Sequence, residues 1–210
     1  MLFMSDKPEK TAPKVEAKLR KDFASAAPLP YDVLLEGVYQ PGSLGQLAGD
    51  IANSVLADFL VGGTRPLHTI RFHVQTPRPV EVKVNVIKAQ AVCIGSILFS
   101  TFVRKPVAGH AQLEDEKVFG KSKLVGEPAV AARLNDNKML IGKLNKFARN
   151  KYLVGNTEIL SKRFVDLRPI DGGHSLLSVG TMPRSKWFGL ASTFDASEFV
   201  QIADLVEASL

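Results

Sequence analysis

Hydrophobic positions along this chain repeat in two periods. Between residues 43 and 61 the apolar side chains are Leu44, Leu47, Ala48, Ile51, Ala52, Val55, Leu56, Phe59 and Leu60. That i, i+3, i+4, i+7 stripe predicts a helix with one buried face. Ser43 with Gln46 gives a capping-box start, and Gly62-Gly63 a stop. The polar face carries Gln46, Asp50, Asn53 and Asp58 without a lysine or arginine. The stripe therefore reads as a core helix and not as a surface for anionic lipid.

The period then switches to two. Ile70, Phe72 and Val74 alternate with Arg71 and His73, and Val80, Val82, Val84 and Val86 alternate with Glu81, Lys83 and Asn85. The segment Thr76–Pro79 between them predicts a turn, so the pair reads as an antiparallel hairpin with one wet face. Residues 97–103 are β-branched and aromatic and predict a buried strand. Residues 106–116 read as a loop, and 117–125 as a further strand. Glu127-Pro128 opens a short helix ending near Asn135–Asn137. A second helix follows, with Met139, Leu140, Leu144, Phe147 and Ala148 expected inward. Gly155-Asn156 breaks its pattern. Residues 159–170 and 174–180 predict two strands joined by a turn at Asp171–Gly173. Residues 182–190 read as a loop. Asp195 with Glu198 forms a capping box for a last helix to about Ser209, burying Phe199, Ile202, Leu205 and Val206.

Strands come in hairpins and helices in groups, which is an α+β pattern and not a βαβ alternation. The expected architecture is a single α+β domain over residues 31–210, with an antiparallel sheet and helices packed on one face. Residues 1–30 are rich in Lys, Glu, Ala and Pro. They are expected to form a flexible tail, disordered or weakly helical.

Charge changes this picture more than composition does. The 210 residues carry a net charge of +6 and one cysteine, Cys93. A lone cysteine in an apolar run reads as a small buried hydrophobe in a reducing compartment. The absence of a long apolar run or a signal-like start points to a soluble cytoplasmic protein. The charge is unevenly spread. Residues 117–191 hold 14 Lys/Arg against 5 Asp/Glu, whereas residues 192–210 sum to −4. A field of one sign attracts partners of the other.

Candidate chemistry is sparse. His68, His73, His110 and His174 show no metal-ligand spacing, and one cysteine supplies no thiolate site, so no metal or cofactor is expected. No nucleophile elbow, phosphate loop or dinucleotide fingerprint occurs. The pair Asp171 and His174 reads as turn chemistry. No catalytic residues are assigned. The candidate binding residues are the basic run Lys138, Lys143, Lys146, Arg149 and Lys151, and the aromatic-basic loop with Arg184, Lys186 and Trp187. Together they suggest a non-enzymatic binding module for an acidic protein or anionic ligand. Two other classes stay open. One is a nucleic-acid binder, motivated by a pI near 9.4 and expected to weaken steeply with salt. The other is an enzyme whose site assembles across the fold.

Overall fold

A computed structural model describes residues 2–3, 8–39, 65–88, 93–113, 122–146, 151–154, 157–160, 162–182, 191–192 and 196–210. Its centre is an eight-stranded antiparallel sheet. The first four strands form a meander: β2 (Tyr31–Tyr39), β3 (Arg65–Val74), β4 (Val80–Lys88) and β5 (Cys93–Val103). The hairpin of β10 (Lys162–Ile170) and β11 (His174–Met182) lies beside β5. Short strands β6 (Ala111–Leu113) and β7 (Leu124–Gly126) complete it, in the order β2-β3-β4-β5-β11-β10-β6-β7. Two small two-stranded sheets pair β1 (Leu2–Phe3) with β12 (Ala191–Ser192), and β8 (Lys151–Val154) with β9 (Thr157–Leu160).

The period-two pattern builds the core. Phe72, Val82, Phe99, Val179 and Val165 share one register row across five strands, and all are buried. The opposite face carries the row His73, Glu81, Ser100, Ser178, Asp166 and Gln112. Among the described residues, four helices lie over the apolar side: α1 (Pro8–Asp22), α2 (Pro128–Asp136), α3 (Lys138–Lys146) and α4 (Ala196–Ser209). In α4, Phe199, Ile202, Ala203 and Val206 are buried, and Phe199 stacks on Phe99 with ring centroids 5.4 Å apart. Burying each such large apolar side chain contributes about 1.5–3 kcal/mol. The layout is that of one α+β domain. None of the described helices is long and apolar enough to cross a membrane.

The connection from β5 to β6 passes over two strands, β11 and β10, before entering the sheet. Ser175, fully buried, fastens it: its hydroxyl accepts the Val107 N–H at 2.9 Å and donates to the Lys105 carbonyl at 3.0 Å. At the far edge, Gly126 has φ +132°, and a Cβ there would lie 2.2 Å from the His110 carbonyl oxygen. Only glycine fits that approach. Glu127 then caps α2 by accepting the Val130 N–H at 2.7 Å. Asn135 closes the outer side of β7, accepting the Leu124 N–H and donating to the Leu124 carbonyl.

Several expectations need correction. Residues 8–22 are a helix and not a loose tail: Thr11, Ala12, Val15 and Leu19 are fully buried, a stripe that outweighs the polar composition. Asp22 accepts the Ala196 N–H at 3.1 Å, tying α1 to the start of α4. The expected loop at 106–116 contains β6, and the expected strand at 117–125 is described only at its end, as β7. The single strand expected at 159–170 is divided between β9 and β10, in different sheets. Met139 points outward and is 71% exposed, because α3 buries Leu140 and Leu144 and packs Ile141 against the core. Of the loop expected at 182–190, Met182 instead ends β11; residues 183–190, the helix expected at 43–61, Asp195, Phe147 and Ala148 lie outside the described residues.

Candidate functional site

The basic run begins on α3. Asn137 starts this helix by accepting the Leu140 N–H at 3.0 Å, and its amide donates to Ser209 Oγ at 2.8 Å. The helix is thereby held against the end of α4. With Leu140 and Leu144 turned inward, positions 139, 142, 143 and 146 fall on the outer side at i, i+3, i+4, i+7 spacing. Met139 is exposed there, and Lys143 follows one turn later. Gly142 lies between them, and a Cβ at that position would meet nothing within 4 Å. Lys138 is exposed at the helix start. Among the described residues no carboxylate pairs with Lys138 or Lys143.

The structure thus places Lys138 and Lys143 on one short helix. Lys146 ends the same helix, and Lys151 opens β8; for these two only the backbone is described. Arg149, Arg184, Lys186 and Trp187 lie outside the described residues.

In the acidic C-terminal stretch, by contrast, Asp204 and Glu207 are already engaged. Arg78, in the turn between β3 and β4, reaches α4 from the sheet side. Its Nη1 donates to Asp204 Oδ1 at 2.9 Å, and its Nη2 to Glu207 Oε1 at 2.9 Å and to the Phe102 carbonyl at 2.7 Å. Its Nε donates to Thr101 Oγ1 at 3.2 Å, and Thr101 in turn donates to the Pro79 carbonyl. Glu207 also accepts the Arg104 N–H at 3.0 Å. Burial alone would raise the Glu207 pKa. The Arg104 N–H, the Arg78 hydrogen bond and the two arginine charges outweigh it and hold the carboxyl below the usual glutamate range.

Beside this node lies a cleft of about 690 Å³, lined by Phe102, Arg104, Ile170, Asp171 and His174 among others. Phe102 is 57% exposed along it. The His174 ring is held by its own turn, Nδ1 lying 2.9 Å from the Gly172 carbonyl. The cleft carries both signs of charge, so it has no net preference for anions.

On the open face of the sheet, His110 Nε2 contacts Asp166 Oδ1 at 2.5 Å. Ser178 lies opposite Asp166 in the sheet, and its hydroxyl is hydrogen-bonded to Ser100 at 3.0 Å. Among the described contacts neither serine is bonded to His110. Among the described residues no group of three or more His, Cys, Asp or Glu is placed to hold a metal ion.

Compared with known proteins, the chain matches no family model, no curated protein and no solved structure.

Sequence reasoning missed two features of this region. The Arg78 node joins residues 126 and 129 positions apart. No local pattern signals that. The outward Met139 did have a signal: the stripe Leu140, Ile141, Leu144 fills one helix face without it.

Proposed function

We propose that the protein is a cytoplasmic, non-enzymatic binding module whose basic surface takes an acidic protein partner. The helix α3 is its described part. One observation carries this reading. Among the described residues no carboxylate pairs with Lys138 or Lys143, which flank the exposed Met139 on α3, whereas Asp204 and Glu207 are already held by Arg78. Asp204 and Glu207 are thus not available to neutralise the lysines of α3. The proposal extends this surface along the basic run through Lys146, Arg149 and Lys151, and adds the loop of Arg184, Lys186 and Trp187 on the ground of its charge and aromatic ring alone.

The partner's chemistry follows from the side chains. Each exposed ion pair contributes only about 0.2–1 kcal/mol, so charge alone gives weak, salt-sensitive binding. Burying Met139 adds about 1.5–3 kcal/mol and requires an apolar residue on the partner. A segment alternating acidic and apolar residues satisfies both, with the positive field steering its approach. The opening at Gly142 lets that segment come close to the helix backbone.

A nucleic-acid partner would use the same field. It has the net charge of +6 and the loop with Arg184, Lys186 and Trp187 behind it, but α3 itself, Lys138–Lys146, carries no aromatic residue on which a base could stack. Titrating the protein into a fluorescent peptide of alternating Glu and Leu, and into single-stranded and duplex DNA, separates the two at several salt concentrations. The peptide is expected to bind more tightly at physiological salt. Tighter binding of either DNA would reverse the assignment, and no binding of any probe at low salt would remove it.

A further inference from the structure

The cleft beside the Arg78 node lies where the β3–β4 turn, the β10–β11 turn and the end of α4 meet. Its volume of about 690 Å³ falls within the roughly 300–1,000 Å³ of small-molecule sites. Its walls are tied together by bonds already made. Arg78 joins the β3–β4 turn to Asp204 and Glu207 of α4 and to the Phe102 carbonyl of β5. The cleft is therefore shaped before any ligand enters, which spares the ligand part of the cost of ordering it.

The groups left over inside the cleft say what it can hold. Arg78 and Thr101 spend their polar atoms within the node, and Glu207 Oε1 takes two N–H donors. Three charged groups are not spent in this way. Asp171 is exposed and has no hydrogen bond or ion pair among the described residues. Asp204 is 64% exposed and meets Arg78 with one of its two oxygens. Arg104 uses its backbone N–H on Glu207, while its guanidinium makes no hydrogen bond or ion pair among the described residues. His174 adds an oriented ring: Nδ1–H donates to the Gly172 carbonyl at 2.9 Å, which leaves Nε2 open. Among these groups the Phe102 ring is 57% exposed, with Ile170 on the same cleft.

We propose that the cleft binds a zwitterion with an apolar body: an apolar amino acid or short apolar peptide with free ammonium and carboxylate groups. A simple anion would meet Arg104 but also Asp171 and Asp204. A simple organic cation would meet the carboxylates but also Arg104. Either would leave charges of the cleft covered without a partner, which is unfavourable. A ligand carrying both signs pairs its ammonium with the carboxylates and its carboxylate with the Arg104 guanidinium, a group suited to bidentate hydrogen bonding. The apolar body between them covers Phe102 and Ile170. This site is separate from α3 and does not rest on the reading given for that helix.

The test is isothermal titration of the whole protein with L-leucyl-L-phenylalanine and with L-phenylalanine, the peptide and amino-acid forms of this chemistry. At least one is expected to bind one to one, and the tighter of the two names the source. Acetylating its amine or amidating its carboxylate is each expected to weaken binding about tenfold. Glycylglycine, which has both charges and no apolar body, is expected to bind at least about tenfold more weakly. Two variants then assign the groups, both at exposed side chains and checked for folding by circular dichroism. Asp171→Asn should shrink the penalty of acetylation alone, and Arg104→Gln that of amidation alone. Absence of binding by both probes at millimolar concentration overturns the proposal. So does a blocked probe that binds as tightly as its parent, glycylglycine that binds as tightly as either, or penalties that neither variant reduces.

Discussion

Arg78 Nη2 donates to Glu207 Oε1 at 2.9 Å, joining the β3–β4 turn to the C-terminal helix across 129 residues of sequence. Arg78 is nearly buried, with a side-chain exposure of 13%. Its guanidinium also serves Asp204, Thr101 and the Phe102 carbonyl, so four groups lose a donor if it is removed. Arg78→Met is expected to destabilise the fold by about 2–4 kcal/mol, measured by urea unfolding. A loss below a few tenths of a kcal/mol would mean that solvent replaces these bonds without cost.

The same node makes stability depend on pH. The folded carboxyl of Glu207 titrates below its unfolded value, so its contribution is present at neutral pH. It disappears as pH falls through the folded pKa, below the ordinary glutamate range. Melting temperatures of the wild type and Glu207→Gln should therefore differ most near neutrality and converge in acid. A constant gap across the acid range would show that the charge of Glu207 is not what holds α4.

Ser175 is the clasp of the crossover between β5 and β6. Ser175→Ala leaves the buried Val107 N–H without its acceptor, which costs about 1–3 kcal/mol. The expected local signature is faster hydrogen exchange at Val107, with the β10–β11 pairing unchanged. Unaltered exchange at Val107 would assign the crossover's stability to something other than this hydroxyl.

Much of this fold was legible in the sequence where a regular period met a local stop signal. The alternation at Ile70–Val74 and Val80–Val84 became β3 and β4, and Asp171–Gly173 became the β10–β11 turn, with both glycines at positive φ. Glu127-Pro128 opened α2 as expected. The strand β2 was not legible, because Val33, Leu34 and Leu35 are consecutive and an edge strand is not held to strict alternation. The helix α1 was hidden by composition: its lysines and Pro13 suggest a tail, while its buried stripe is only a few residues wide. Of the candidate site, Lys138 and Lys143 were found as one helical pair. The outward turn of Met139 and the neutralisation of Asp204 and Glu207 depend on packing between distant elements.

Gly142 offers a stability change on the proposed surface itself. It sits inside α3, where glycine is disfavoured, and an added Cβ meets nothing. Gly142→Ala is expected to stabilise the protein by about 0.5–1 kcal/mol by thermal unfolding. A destabilised variant would indicate that the helix backbone there is in close contact with another group.

The basic face of α3 is the centre of the functional proposal, and charge reversal tests it most directly. Lys138→Glu with Lys143→Glu changes two exposed or half-exposed side chains that have no carboxylate partner among the described residues. The measurement is the affinity of the fluorescent Glu/Leu peptide for wild type and double variant at physiological salt, with melting temperature as the folding control. The account predicts a loss of about tenfold or more at unchanged melting temperature. Equal affinity of the two proteins for the peptide would contradict it.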